Sequence, residues 1–184
     1  LKIGAGLQDR VAQVYGGLVY MDFGEEHMRR GFGHYENLDP KLLPPLFIAY
    51  DATSSEGTEV VHNPLRERFQ KGEAVVVDTL NVIAGNARQF RQALEGGDLA
   101  EMYRLVDANF DLRAQIMGIN PLHRRLVNVA RRAGAACHFC GSGGAVIGIY
   151  RDEAMYRDLE EAYAKIGVPI LKPRVIEYPE LGPH

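Results

Sequence analysis

Ala135-Ala136-Cys137-His138-Phe139-Cys140-Gly141-Ser142-Gly143-Gly144-Ala145-Val146-Ile147-Gly148-Ile149-Tyr150 reads as strand, turn, strand: two apolar runs on either side of a flexible Gly-Ser-Gly-Gly. Downstream, Asp152 stands where a helix cap is wanted and opens a helical pattern that runs to Ile166. After Gly167 and Pro169 the segment 170–178 reads as another strand. Upstream, Leu46-Phe47-Ile48-Ala49-Tyr50 is a compact apolar run suited to a buried strand, followed by a Thr- and Ser-rich loop over 51–57. Between that loop and Ala135 the pattern is helical throughout. A short helix is expected over 60–70 and a long one over 73–94, ended by Gly96-Gly97. Asp98 caps a third helix reaching about Met117, and Asn120-Pro121 starts a fourth that ends near Gly134.

Strand, helices, strand, strand, helix, strand is the order of a ferredoxin-like split β-α-β fold, here with extra helices in its first crossover. The expected class is therefore α+β. Ahead of this block, Leu7, Val11, Val14 and Tyr15 have helical spacing that stops at Gly16-Gly17, and 18–23 reads as a strand. A polar, glycine-bearing stretch over 24–41 follows, and Leu42-Leu43-Pro44-Pro45 leads into the strand at 46–50. Residues 1–45 are expected to close a preceding domain and 46–184 to form the next one.

Bulk composition narrows the partners. The 184 residues are 46% hydrophobic, enough for a real core, and 24 acidic side chains nearly balance 21 basic ones for a net charge of −3. Such a balance gives no electrostatic footprint for nucleic acid or an anionic membrane, so a small molecule or a protein is the expected partner. No run approaches about 18 uninterrupted apolar residues, and no charged-then-apolar leader is present, which places the expected chain in the cytoplasm. The only cysteines form Cys137-His138-Phe139-Cys140, a spacing seen in redox and zinc sites. Three strand residues, however, set the sulfurs roughly 10 Å apart and on opposite faces, beyond the roughly 7 Å limit for a disulfide. Two reduced, metal-free thiols are expected.

Two segments could carry chemistry. Gly141-Ser142-Gly143-Gly144 lets backbone N–H groups approach an anion with no side chain in the way, so it could cradle phosphate; a hairpin turn would need the same glycines for conformation alone. Gly4-Ala5-Gly6-Leu7-Gln8-Asp9-Arg10 sets a carboxylate beside a guanidinium near a helix start. An Asp so placed can orient a substrate hydroxyl or accept its proton, and it can equally be a simple cap beside a solvated Arg. Gly4 and Gly6 half-match a dinucleotide fingerprint, but no strand precedes them and no third glycine follows in place.

Three segments decide between these readings. Gly6-Leu7-Gln8-Asp9-Arg10-Val11-Ala12-Gln13-Val14-Tyr15-Gly16-Gly17-Leu18, Asn109-Phe110-Asp111-Leu112-Arg113 and Phe139-Cys140-Gly141-Ser142-Gly143-Gly144-Ala145-Val146 resemble, in order and at similar separations, stretches of the plant glucuronokinases within the GHMP kinase superfamily. Leu42-Leu43-Pro44-Pro45-Leu46 and Arg66-Glu67-Arg68-Phe69-Gln70-Lys71-Gly72 are similar to that family as well. Heptose-phosphate kinases share a similar Gln-Asp and Gly-Gly pattern.

The resemblance implies a sugar kinase that uses ATP and Mg2+ and transfers the γ-phosphoryl group to the anomeric hydroxyl of glucuronic acid or a related sugar. It implies a catalytic role for Asp9 and substrate contacts for Gly6, Gln8 and Arg10, with Arg10 a partner of Asp9 or of the substrate's negative groups. Asn63 falls where galactokinases carry a sugar-contacting tyrosine, and Gly141, Ser142, Gly143 and Gly144 match the superfamily's third motif near the transferred phosphate. Asn109 and Arg113 are further pocket candidates, or a helix face satisfied by local hydrogen bonds. No resident metal site is implied. The superfamily's second motif, a Gly-Leu-Gly-Ser-Ser-like loop that opens a helix and holds the triphosphate, has no counterpart, and the chain opens on Leu1-Lys2-Ile3-Gly4 without an initiator Met. The chain is thus expected to be the back half of an enzyme whose front half must be supplied for activity. Rival expectations are a heptose- or galactose-type kinase and a non-catalytic, ferredoxin-like ligand-binding domain.

Overall fold

The computed structural model of the chain describes residues 7–51, 58–140 and 144–175. These residues form two compact units that divide between Leu43 and Pro44, the larger running to Pro173.

In the smaller unit, α1 (Leu7–Tyr15) buries one side chain, Val11. The helix stops where Gly16 and Gly17 adopt φ of +60° and +64°, two successive left-handed conformations that glycine takes without a Cβ clash. Strand β1 (Leu18–Asp22) then pairs antiparallel with β2 (His34–Leu38), in register from Leu18↔Leu38 to Asp22↔His34, with the one-turn α2 (Glu25–Met28) between them. Strand β2 lies within the polar stretch 24–41, where the sequence pattern predicts no strand. One aromatic supplies its packing: the Tyr35 ring meets Tyr15 and Phe23 edge-on at 5.5 and 5.7 Å, in a strand with no clean apolar alternation. Asp39 accepts from the Lys41 backbone N–H at 2.9 Å and caps a 3-10 turn (Pro40–Leu42).

The larger unit runs β3 (Leu46–Tyr50), α3 (Thr58–Gln70), α4 (Ala74–Gly96), α5 (Leu99–Ile116), α6 (Pro121–Arg132), β4 (Ala136–Phe139), β5 (Ala145–Ile149), α7 (Glu153–Ala164) and β6 (Ile170–Leu171). Its sheet has the order β4-β5-β3-β6 with every neighbouring pair antiparallel. Strands β3 and β4, joined by the helical crossover, are therefore parallel to each other with β5 between them, which is the split β-α-β arrangement expected from the strand order. The caps also fall where the sequence puts them. Asp98 accepts from Glu101 N–H at 3.0 Å, Asn120 from Leu122 N–H at 2.8 Å and Asp152 from Met155 N–H at 2.9 Å. Among the described residues of the segment 170–178, Ile170 and Leu171 are strand, pairing Ala49↔Ile170 and Ile48↔Leu171. Pro173 has no N–H to give a ladder and ends the run early; 176–178 lie outside the described residues.

The core lies between one face of this sheet and helices α6 and α7. Phe47, Ala49, Val146 and Cys137 meet Leu126, Val127 and Ala130 of α6 and Leu159 and Tyr163 of α7, all fully buried. Large apolar side chains so placed contribute about 1.5–3 kcal/mol each. The Tyr163 hydroxyl, desolvated in this core, donates to the Leu126 carbonyl at 2.8 Å and so leaves no polar group stranded. Helix α5 is tied to α6 by Arg131, which donates to Asp107 Oδ1 and Asp111 Oδ1, each at 2.9 Å, with its guanidinium 5.2 Å from the centre of the Phe110 ring. Among the described residues no helix is long and apolar enough to cross a membrane.

Candidate functional site

In the smaller unit, Gln8, Asp9 and Arg10 occupy the first turn of α1, all exposed, with the buried Val11 directly after them as the anchor. An acidic side chain suits this end of a helix, where backbone N–H groups point outward. Asp9 and Arg10 form no ion pair with each other among the described residues. Adjacent helical positions diverge by about 100° around the axis, and only residues three or four apart face one another. Both groups are thus left to meet a ligand or another part of the protein. A cavity of about 270 Å³ opens at the other end of α1, between the Gly16-Gly17 turn and Asn37–Pro40. Gly6 lies outside the described residues.

In the larger unit, Gly141, Ser142 and Gly143 lie outside the described residues, while their flanks are fixed. Cys140 N–H donates to the Ala145 carbonyl at 2.9 Å, and the buried Gly144 carbonyl accepts from Asp51 N–H at 2.8 Å. The backbone at Asn63 belongs to α3; its side chain lies outside the described residues. Just beyond it, Pro64, Leu65 and Arg68 line a cavity of about 480 Å³ against the end of α5. Arg68 is committed to structure there: it holds Glu73 bidentately at 2.7 and 2.6 Å and donates to the Ile116 carbonyl.

A cluster that no local sequence pattern announces lies where α5 meets β4. Phe110 meets His138 and Phe139 edge-on, both at 6.1 Å, and His123 of α6 stacks on Phe139 at 5.4 Å. Into this apolar setting comes Arg113, half-buried, its Nε donating to Asn109 Oδ1 at 2.8 Å. Desolvation lowers its pKa. His138 is pushed down to about 4, first by burial and then by the positive charge of Arg113, against the opposing hydrogen bond to the Phe139 carbonyl. The two thiols of the C-x-x-C pair are free. Cys137 is fully buried and pushed up to about 12 by desolvation, and burial also raises Cys140, so both are poor nucleophiles at neutral pH. Within the described residues no group of three or more His, Cys, Asp or Glu is placed to hold a metal ion.

The depressed His138 sets a pH prediction. Between the ordinary value of 6.5 and about 4 the unfolded chain binds the proton and the folded one does not, so folding stability falls as pH drops through that window and is unaffected by this group above it. The loss is bounded at about 3 kcal/mol. An imidazole NMR titration should place the His138 midpoint near 4, and a midpoint near 6.5 would show that the ring is solvated.

Residues 90–166 match the family described as GHMP kinases C terminal. Two curated proteins of Arabidopsis thaliana are similar over most of the chain. Glucuronokinase 1 is 43% identical over 151 residues, and Probable glucuronokinase 2 is 44% identical over 152. Each alignment covers 80% of this chain and 41% of the relative, so the chain spans about two fifths of the length of the curated proteins it matches. Among solved structures, mevalonate kinase from L. major in complex with R-mevalonate superposes with a TM-score of 0.75 at 18% identity, covering 95% of this chain and 55% of that one. The Lin0012 protein of Listeria innocua gives a TM-score of 0.65 at 20% identity, covering 76% of this chain and 41% of that one. At these identities the structural likeness speaks for the fold.

Proposed function

We propose that this chain, which carries the C-terminal domain of a GHMP kinase over residues 90–166, is part of an ATP-dependent sugar kinase that phosphorylates glucuronic acid at its anomeric hydroxyl. The observation that carries the reading is the 43% identity to Glucuronokinase 1 over 151 residues. Asp9, exposed in the first turn of α1, is the group that orients the sugar hydroxyl and accepts its proton as the oxygen attacks the γ-phosphorus. A new oxygen–phosphorus bond forms, the bond from the γ-phosphorus to the bridging oxygen of ADP breaks, and the charge leaves with ADP. Catalysis of this kind is mostly positioning and charge stabilisation. In this reading Gly6, Gln8, Arg10 and Asn63 contact the sugar, and the segment Gly141, Ser142, Gly143 and Gly144 offers backbone N–H groups to the phosphates.

ATP brings Mg2+ to such kinases, and the described residues do not form a cation site of their own. The chain spans 41% of the length of Glucuronokinase 1, and in this reading further donors to the nucleotide come from the rest of such a protein. The expected result is that the 184 residues alone release no ADP in a coupled assay with glucuronate or galactose. Joining or adding the part of a glucuronokinase that this chain does not span should yield ADP in a glucuronate-dependent manner. Sustained turnover by the 184 residues alone would refute this division of labour. ADP release with galactose or a heptose phosphate, and none with glucuronate, would move the substrate to another member of the same class.

A further inference from the structure

The stretch of α3 from Pro64 to Gln70 buries no side chain: Leu65 and Arg68 are half-buried and the rest are exposed. Helices in proteins are mostly held by an apolar face packed on a core, and this stretch lacks one. Pro64 weakens the helix further, since it has no N–H to offer the carbonyl four residues earlier. The ties that hold this part of α3 are polar.

Arg68 makes them. It grips the Glu73 carboxylate through Nε at 2.7 Å and Nη2 at 2.6 Å, and its Nη1 donates to the Ile116 carbonyl. Glu73 stands at the N-cap of α4, yet its carboxylate makes no cap hydrogen bond there and is turned to Arg68 instead. The Glu73 backbone N–H also donates to the Arg68 carbonyl, at 3.1 Å. Ile116 is the last residue of α5, where the helix has no N–H left to meet the carbonyl, and its own side chain is fully buried. Arg68 thus joins a lightly held helix to the start of α4 and to the anchored end of α5. A guanidinium fork suits this task, because two parallel hydrogen bonds fix a direction as well as a distance.

The clamp also spans a cavity. Pro64, Leu65 and Arg68 form one wall and Gln115, Ile116 and Met117 the other, so the bond from Arg68 to Ile116 sets how far apart the walls stand. Asn63, given a sugar contact above, directly precedes Pro64 in the same helix. We propose that Arg68 is a positioning residue for the acceptor sugar: without touching the sugar, it fixes α3, and with it Asn63 and one wall of the cavity, against α4 and α5. The clamp is a property of the chain, and its use for a sugar rests on the kinase reading above.

The test has two arms. Hydrogen exchange read by mass spectrometry compares the 184-residue chain with its Arg68→Met variant. Amides of 64–70 should exchange about tenfold faster in the variant, while α6 and α7 keep the original pattern. Unchanged exchange over α3 would show that Arg68 does not hold the helix and would overturn the proposal. In the complete protein, Arg68→Met should raise the KM for glucuronate about tenfold and leave kcat and the KM for ATP within about twofold. Arg68→Lys keeps the charge and loses the fork, so its KM for glucuronate should rise about threefold. If Arg68→Met loses the circular dichroism spectrum of the fold, Arg68→Lys carries both arms. A residue that only stabilises the fold would lower the melting temperature and the active fraction and leave both KM values alone, and that pattern would overturn the proposal. Complete protein that phosphorylates no sugar before any substitution would sink the kinase reading and the sugar role with it, whereas an active protein whose glucuronate KM ignores Arg68 would overturn the positioning role alone.

Discussion

Asp9→Asn in the complete protein is expected, on the proposed sugar-kinase reading, to lower kcat by about 10²–10⁴-fold, the usual contribution of a positioned proton acceptor. The KM for sugar should change little, because the amide keeps the size of the carboxylate and can still accept one hydrogen bond. Folding should be intact: the Asp9 side chain is exposed, and the burial that holds α1 comes from Val11 two positions on. Arg10→Gln in the same protein separates two roles for the guanidinium. A loss confined to KM would place Arg10 on the substrate's negative groups, and an equal loss in kcat would place it on Asp9. Near-normal turnover of Asp9→Asn, with stability unchanged, would reduce Asp9 to a helix-start residue and leave the proton acceptor to be found elsewhere.

Gly148→Ala is the substitution expected to damage the fold most. Gly148 sits on β5 opposite Cys137 and Phe47, in the middle of the sheet. A Cβ there would stand 2.6 Å from the Ala136 carbonyl oxygen and within the van der Waals envelope of the Phe47 ring. Neither neighbour can yield: one is backbone in the adjacent strand, and the other is a fully buried ring packed 6.2 Å from Tyr163. Overpacking of this kind costs about 3 kcal/mol, which for a chain of this length lowers Tm by about 6–12 °C. Gly85→Ala is the control, since nothing lies within 4 Å of a Cβ at that position of α4. It should stabilise by about 0.5–1 kcal/mol through helix propensity alone. Thermal unfolding of the two variants side by side checks the sheet register, and equal Tm values would mean that β5 is not packed as described.

Features encoded by neighbours along the chain were legible before the structure. Asp98, Asn120 and Asp152 announce their helices because a cap is a local hydrogen bond, and each accepts from a backbone N–H two or three residues ahead. The glycine pairs at 16–17 and 96–97 end helices for equally local reasons. Given those elements, the strand order followed from the rules of chain connection. Strand β2 was not legible because its stability comes from Tyr35 packing on Tyr15 and Phe23, contacts that its own five residues do not advertise. The end of β6 was misread in the other direction: apolar residues continue past Lys172, and Pro173 overrides them.

The candidate site divides along the same line. The exposure of Gln8, Asp9 and Arg10 suits the roles given to them, and of the two partners offered for Arg10, Asp9 and the substrate's negative groups, Asp9 forms no ion pair with it among the described residues. Asn109 and Arg113 were singled out only through resemblance. What the structure adds, a half-buried guanidinium held by a neutral side chain on the helix whose Phe110 meets the His138 ring, arises from the packing of α5 on a strand about 25 residues further along the chain.

Phosphorus NMR of the reaction itself tests the central claim most directly. The complete protein is incubated with ATP, Mg2+ and D-glucuronate and the 31P spectrum followed in time. The account predicts that the γ-phosphate signal decays as ADP and one new sugar phosphate resonance grow in equal amounts, with the new phosphorus coupled to the anomeric proton. Conversion of ATP to ADP and free phosphate at a rate indifferent to glucuronate, or a spectrum that does not change, would contradict it.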